Sequence, residues 1–284
     1  MTSGSLQTST NEVRGSPTLL CTPLRGTTVD QMLMQMRKAK NIGADVSPLP
    51  TLVTCRPVWE GGQYVLRLAM QFGANYVDVE LEPDSFKIAT AALDVTDCAR
   101  IFQIMVHSQV PIIGIVMGER GLISRLLSPK FGGYLTYGAL EAGAISAPGQ
   151  PTAKDLLDLY NFRLIRPNTS VYGITGKPVG HSKIPLLFNA AFKAVGLNAV
   201  YLHFLVDDVE EFFNTYSCID FASGCSCTIP HKEVALKSMD EIDPTAKKIG
   251  AINNIVRRPD GTLTAFNTDY IGAISAIEDG LREI

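Results

Sequence analysis

Several features of specialised protein classes are missing from this sequence of 284 residues. No Gly-x-Gly triplet occurs, so the glycine fingerprint of a dinucleotide-binding turn is absent. No run of Lys and Arg stands out, and the net charge of −3 disfavours nucleic acid and anionic membranes as partners. The longest strongly apolar stretch, Val110 to Met117, is far too short to cross a bilayer. Together these absences predict a soluble globular protein.

Cysteine and histidine are also sparse, with six and four residues respectively. The one close pair, Cys225 and Cys227, lies in an apolar run and has no second Cys or His pair at zinc-site spacing. We therefore expect buried thiols in a reducing compartment rather than a metal site. Residues 1–17 are rich in Ser and Thr but lack an apolar core, which favours a disordered extension over a secretory signal.

What is present is an alternation of short apolar runs with helical stretches, which is typical of an α/β protein with parallel strands. Residues 18–162 predict six strands, whereas a closed barrel of this type has about eight. Two connections between predicted strands are too short. One lies at residues 44–50, and the other lies between Glu80 and Lys87, where no helix fits although a parallel strand pair needs a crossover. Within the first section, Asp94–His107 and Thr152–Asn161 predict helices and Val110–Met117 predicts a strand. After a linker, residues 169–284 predict a second βα series that includes a helix at Lys232–Met239 and a β-hairpin.

A lysine stands inside an apolar predicted strand, Phe86-Lys-Ile-Ala-Thr90. Burial of an amine favours its neutral form, which is nucleophilic toward a carbonyl. The alternative is a surface lysine on an edge strand, and the local sequence alone leaves both interpretations open.

Four further segments follow a recognisable order, mostly at predicted strand ends, where barrel active sites gather. They are Cys55-Arg56-Pro57, Trp59-Glu60-Gly61-Gly62, Gly118-Glu-Arg-Gly-Leu-Ile-Ser-Arg125 and Ser146-Ala-Pro-Gly-Gln150. Together with Lys87 they resemble type I dehydroquinate dehydratase over residues 18–162, which implies an incomplete (β/α)8 barrel. The resemblance implies that Lys87 forms an imine with the ketone of 3-dehydroquinate and that Arg125 holds its carboxylate. It further implies contacts to the ring hydroxyls from Arg56, Glu60, Ser146 and Gln150.

The first half departs from that family at two places. A Glu-x-Arg segment of the second strand and a catalytic histidine of the fifth are missing, and these losses coincide with the two short connections. Without a general acid/base, a contribution of about 10²–10⁴-fold to the rate is lost. We expect negligible dehydratase activity from this half.

The second half carries Gly176-Lys-Pro-Val-Gly-His-Ser-Lys-Ile-Pro185, which reads in isolation as an ordinary glycine-rich turn without Walker spacing. Ser226-Cys-Thr-Ile-Pro-His-Lys232, Gly250-Ala-Ile-Asn253 and Asn267-Thr-Asp269 follow in order. A lysine and an aspartate in such places can act as a proton-donating pair, although Asp269 alone also suits a helix N-cap. Jointly the segments resemble the substrate-binding domain of shikimate dehydrogenase.

This second resemblance implies that Lys232 is the catalytic acid/base, with Asp269 as its partner. Asn253 and Thr228 would bind substrate hydroxyls, and Ser182 would bind the carboxylate. Ile184 occupies the place of a second serine of the family motif, which predicts weaker shikimate binding. The NADP-binding Rossmann domain that the family implies would follow Leu281, and we expect this chain to lack it and to bind no NADP.

Together the two resemblances predict that this chain is a homologue of the bifunctional plant-type enzymes, internally shortened and C-terminally truncated. Its small-molecule substrates would be 3-dehydroquinate, 3-dehydroshikimate and shikimate, processed by Schiff-base dehydration and NADPH-dependent reduction. Two alternatives are a ligand-binding remnant without catalysis and a quinate dehydrogenase-like protein. The resemblance also implies a plastid location, with the cytosol as the alternative because no transit peptide is readable.

Overall fold

A computed structural model describes residues 86–217, 221 and 223–282, together with Leu19–Cys21 and a few positions between 34 and 42. The strands and helix predicted between residues 51 and 81 lie outside the described residues, as do Arg56 and Glu60. The second short connection, before Lys87, also falls mainly outside them.

The first half contains short parallel strand pairs with helices beside them. Strand β2 (Phe86–Ala91) is paired in parallel with β3 (Ile112–Met117), and β1 (Leu19–Cys21) is paired in parallel with β4 (Leu135–Tyr137). The Tyr134 amide donates to the Ile112 carbonyl at 2.7 Å, which sets β4 beside the start of β3. Among the described residues these strands form two separate pairs, β1 with β4 and β2 with β3. The elements are β1 (Leu19–Cys21), β2 (Phe86–Ala91), α1 (Asp97–His107), β3 (Ile112–Met117), α2 (Leu122–Leu126) and β4 (Leu135–Tyr137).

Helix α1 packs closely on β3 because its apolar residues recur on one face. Ile101 and Met105 are buried at helical spacing, and β3 is buried along nearly its whole length. Gly114 allows the close approach, since a Cβ there would lie 2.5 Å from the Met105 Sδ. The predicted helix at Thr152–Asn161 is instead built around a π-helical turn, Asp155–Leu159.

The second half is organised around one sheet of six strands, β5 (Ser170–Gly176), β6 (Ala199–Leu205), β7 (Gly224–Cys227), β8 (Glu241–Ile242), β9 (Asn254–Arg257) and β10 (Leu263–Phe266). Their order in the sheet is β6-β5-β7-β9-β10-β8. The predicted hairpin is present, because β9 and β10 are antiparallel neighbours. The helix predicted at Lys232–Met239 is reduced to a 3-10 turn, Val234–Ser238, and the sequence reasoning missed β8 and α5. The elements are β5 (Ser170–Gly176), α3 (Ile184–Ala194), β6 (Ala199–Leu205), α4 (Val209–Thr215), β7 (Gly224–Cys227), β8 (Glu241–Ile242), α5 (Pro244–Ile249), β9 (Asn254–Arg257), β10 (Leu263–Phe266) and α6 (Thr268–Arg282).

The two halves share one continuous hydrophobic core. Phe221 of the second half packs against Phe102 and Phe131 of the first, with ring centroids 6.4 Å apart in each case. The Tyr216 hydroxyl donates to the Val95 carbonyl at 2.7 Å in the same region. Within the described part of the chain, no helix has the length and apolarity to cross a membrane.

Candidate functional site

The predicted residues of the second half converge at one edge of the sheet. Strands β5 and β7 are parallel neighbours, so the turns that carry Ser182 and Thr228 leave the same edge. Strand β9 runs antiparallel to β7 and begins there, directly after Asn253. Strand β10 returns to that edge just before Asp269. Residues separated by almost ninety positions in the sequence are thereby brought to one side of the fold.

Lys232 and Asp269 form the ion pair that the sequence suggested. The Lys232 Nζ donates to the Asp269 Oδ2 at 2.6 Å, and the Asn253 Nδ2 donates to the other carboxylate oxygen at 2.7 Å. The hydrogen bond from Lys232 is the main cause of a lowered pKa at the Asp269 carboxyl, with Asn253 adding to the effect. The lysine side chain remains about one-third exposed, so a ligand can reach it.

Asn253 has a role that the sequence did not suggest. Its Oδ1 accepts from the Thr268 amide at 2.8 Å, and its Nδ2 also donates to the Thr268 Oγ1 at 3.0 Å. In this structure Asn253 therefore fixes the start of α6 and the Asp269 carboxylate. Thr268 is the middle residue of the Asn267-Thr-Asp269 triplet. Its position in that motif was the one sequence feature that could have indicated its contact with Asn253.

The turn with Ser182 begins helix α3. The Ser182 Oγ accepts from the Ile184 amide at 3.3 Å, so the hydroxyl lies at the first turn of the helix. The Ile184 side chain packs on a small apolar cluster that contains Ile174, Val179 and Tyr201. Residue 184 therefore presents an apolar side chain to this cluster, and it has no hydroxyl to offer to a ligand.

Arg125 of the first half is a buried cation. Its side chain is 2% exposed, and the Nε has no hydrogen-bond partner in the described structure. Burial lowers the pKa of Arg125 to about 10, so the guanidinium is still charged at neutral pH. No carboxylate pairs with it among the described residues, which leaves it suited to an anionic ligand.

Ser146 and Gln150 are joined to each other. The Gln150 Oε1 accepts from both the Ser146 amide, at 2.7 Å, and the Ser146 hydroxyl, at 2.8 Å. The Gln150 Nε2 is buried without a partner in the described structure. Gly149, in the left-handed region at φ 69°, allows this loop to rest on Gly118, because a Cβ there would lie 2.2 Å from the Gly118 backbone.

Lys87 is half-buried on β2, and its Nζ lies 5.6 Å from the centroid of the Tyr137 ring. Tyr137 also influences Arg125 electrostatically, which places all three side chains in one region. The proximity supports a common site for an amine and a carboxylate-binding cation.

The four histidines of the chain are all engaged elsewhere or exposed. His107 is exposed and contacts the Gln103 carbonyl at 2.8 Å. His203 and His231 are buried in the second half, and His181 is exposed on the turn before α3.

The described residues do not provide a dinucleotide cradle. A Cβ at Gly176 would lie 2.4 Å from the Thr228 Cγ2, so this glycine allows two neighbouring turns to pack rather than a pyrophosphate to approach. No group of three or more potential metal-ligating residues occurs in the part of the chain that the structure describes. Cys225 and Cys227 are buried free thiols, and burial raises the pKa of the first to about 12 and of the second to about 11.

Comparisons with known families match both halves. Residues 81–167 match the model of type I 3-dehydroquinase, and residues 174–255 match the model of the shikimate dehydrogenase substrate-binding domain. A shikimate dehydrogenase (NADP(+)) of Bacillus cytotoxicus is 42% identical over 38% of this chain and 39% of that protein. A solved structure of dehydroquinate dehydratase and shikimate dehydrogenase from S. pombe AroM is 29% identical, covers 71% of this chain and 38% of that one, and has a TM-score of 0.37.

The "Bifunctional 3-dehydroquinate dehydratase/shikimate dehydrogenase, chloroplastic" of Arabidopsis thaliana is 47% identical over 98% of this chain and 59% of its own length. This chain therefore spans less than two-thirds of the relative. The alignment runs over 356 positions, which exceeds the 284 residues of this chain by 72, so at least that many positions face gaps here. That two βα units of the barrel are missing from the first half stays a prediction.

Proposed function

We propose that this chain, a homologue of the bifunctional 3-dehydroquinate dehydratase/shikimate dehydrogenases, binds shikimate and 3-dehydroshikimate beside Lys232 and Asp269. The 2.6 Å ion pair between these residues is the observation that carries the proposal. An ammonium at that place can donate a proton to a ligand carbonyl oxygen as it becomes a hydroxyl, and an amine can take it back in the reverse direction. Asp269, held by Asn253, keeps the lysine directed toward the ligand.

The remaining second-half residues supply ligand contacts. We assign Ser182 to the ligand carboxylate and Thr228 to a ring hydroxyl, because both leave the same sheet edge as Lys232. Ile184 cannot add a hydrogen bond to the carboxylate from its side chain. A charged group that lacks one such partner is bound less tightly by about 1–3 kcal/mol.

The whole protein's activities are a further part of the proposal. They are Schiff-base dehydration of 3-dehydroquinate at Lys87 and NADPH-dependent reduction of 3-dehydroshikimate, in a plastid, with this chain impaired in both. NADPH, when bound, supplies a hydride, but the described residues do not fit it, and we derive no step through it. In the first half, Arg125 and Lys87 retain ligand contacts, whereas dehydration is expected to be negligible without a histidine. A ligand-binding remnant is therefore the second candidate function, supported by the positions of the histidines.

Calorimetric titration of the purified chain with shikimate tests the binding proposal. We expect saturable binding, and Lys232→Met should weaken it at least about tenfold because a charge-assisted hydrogen bond is lost. Lys237→Met is the matched control, since Lys237 is an exposed lysine on the adjacent 3-10 turn. Absence of binding at millimolar shikimate, or equal loss in both variants, would contradict the proposal.

A further inference from the structure

The turn that carries Ser182 is connected to the first half through Asp207. The Lys177 Nζ donates to the Asp207 Oδ1 at 2.6 Å, and the Arg120 Nη2 donates to the same oxygen at 2.8 Å. The Arg120 Nε also donates to the Asp207 Oδ2. Arg120 belongs to the first half, so one carboxylate joins the start of this turn to the neighbouring half.

A second connection reaches Ser182 itself. The His203 Nε2 lies 3.0 Å from the Ser182 carbonyl oxygen, and the Tyr160 hydroxyl lies 2.7 Å from the His203 Nδ1. A carbonyl oxygen only accepts, so the proton must be on Nε2. In the neutral ring Nδ1 is then an acceptor, and the Tyr160 hydroxyl donates to it. The polarity of both hydrogen bonds is therefore determined.

Both side chains of this second connection are buried, Tyr160 to 4% and His203 to 7% exposure. Burial also lowers the pKa of His203, in agreement with a neutral ring. Tyr160 lies within the segment that matches the dehydratase family, whereas His203 and Ser182 lie within the segment that matches the dehydrogenase family. The chain of hydrogen bonds thus crosses from one family segment to the other.

A cavity of about 390 Å³ lies beside this connection, lined by Gln150, Asp155 and Tyr160 on one side and by Pro178 and His203 on the other. Tyr160 and His203 therefore meet at the border of a space that the turn before Ser182 also lines. Removal of the His203 donor would take away the hydrogen bond that holds the Ser182 carbonyl.

We propose that the first half positions the carboxylate-binding turn of the second half through the Tyr160–His203–Ser182 chain. His203 is then a positioning residue, and the shortened first half has a function that does not require dehydratase chemistry. This inference rests on the proposed binding of shikimate at the second half. It assigns to Tyr160 an effect on ligand affinity although this residue belongs to the other family segment.

Two substitutions of His203 separate positioning from a general packing role. Glutamine can place an amide donor near the position of Nε2 and keep the bond to Ser182. Asparagine can place an oxygen near Nδ1, which keeps the bond from Tyr160 but loses the donor to Ser182. We expect His203→Asn, which loses the donor to Ser182, to weaken shikimate binding about tenfold. His203→Gln, which keeps that donor but loses the bond from Tyr160, should weaken binding about threefold.

Tyr160→Phe provides an independent variant that removes only a hydroxyl, with Tyr134→Phe as the control at an exposed tyrosine of the same half. We expect about threefold or greater weakening from the first and no change from the second. Amide NMR spectra of the ligand-free proteins should show a shift at Ile184 for Tyr160→Phe and His203→Asn but none for Tyr134→Phe.

The outcomes distinguish this inference from the binding proposal. If the parent chain does not bind shikimate, the binding proposal fails, and the Ile184 amide still reports whether the first half positions the turn. Equal affinities for His203→Asn and His203→Gln, or an unshifted Ile184 amide in Tyr160→Phe, would overturn the positioning role.

Discussion

Replacement of Arg125 by methionine should stabilise the ligand-free chain while it abolishes ligand binding in the first half. The guanidinium is 2% exposed and has no carboxylate partner among the described residues. A buried charge without a counterion destabilises the folded state, whereas an apolar side chain of similar length does not. Stability and binding should therefore change in opposite directions.

The size of the effect follows from the titration of Arg125. Its pKa is lowered to about 10, whereas an exposed arginine titrates above about 12. At about 1.4 kcal/mol for each pKa unit, burial of the charge costs roughly 3 kcal/mol of folding stability. Below pH 10 both folded and unfolded chains carry the charge, so this cost is fully present at neutral pH. It decreases only as the pH rises through the folded value.

Methionine loses some of the contacts that the longer side chain makes, at a cost of roughly 1–2 kcal/mol. The net expected gain is about 1–2 kcal/mol, which raises the thermal midpoint by about 3–6 °C. Conversely, 3-dehydroquinate at one hundred times its dissociation constant should stabilise the parent chain by about 2.7 kcal/mol. The variant should show almost none of this gain, because the carboxylate loses its cation.

Thermal unfolding followed by circular dichroism, with and without 3-dehydroquinate, measures both effects. Arg163→Met is a control at a more exposed arginine on the 3-10 turn at Phe162–Leu164. A ligand-free Arg125→Met chain that is less stable than the parent by 2 kcal/mol or more would refute the reasoning, since Arg125 would then have a stabilising partner. Retention of the ligand-induced gain would refute the assignment of the carboxylate.

Three further predictions concern other parts of the two candidate sites. Asp269→Asn should weaken shikimate binding about tenfold, and an unchanged calorimetric affinity would contradict this. In the parent chain, the stability contributed by the Asp269 carboxyl is fully present above the ordinary Asp pKa of about 4. It should be lost in pH-dependent unfolding as the pH falls further through the lowered pKa of Asp269. Borohydride treatment with 3-dehydroquinate should label Lys87 if imine chemistry persists, whereas a binding remnant should remain unlabelled by mass spectrometry. Ile184→Ser should strengthen shikimate binding about tenfold by adding a hydrogen bond to the carboxylate, and equal calorimetric affinities would show that residue 184 does not face the ligand.

Much of the local structure was predictable because it depends on short-range periodicity. The apolar run at Ile112–Met117 and the helical spacing of Ile101 and Met105 each determine one element, and both are present. The short segments were harder. The two-residue strand Glu241–Ile242 has too little sequence to show a period, and it exists because the neighbouring strand β10 pairs with it.

The roles of individual side chains were likewise only partly predictable from the sequence. Motif order was sufficient to pair Lys232 with Asp269, since each motif carries its residue at a constant place. It did not indicate that the Asn253 side chain would bond to Thr268 and Asp269. The choice of partner depends on where a strand end meets a helix start, which no local pattern encodes.

The amino-acid sequence by itself determined the α/β class and the two family segments, and it predicted the internal shortening and two lysines suited to carbonyl chemistry. Only the tertiary structure decided that Arg125 is buried without a carboxylate partner among the described residues, that the two halves share one core, and that Tyr160 reaches Ser182 through His203. The physical reason is the distance along the sequence over which each effect acts. Periodicity and motifs act over a few residues, whereas burial and hydrogen-bond partners depend on which distant segments come to lie side by side.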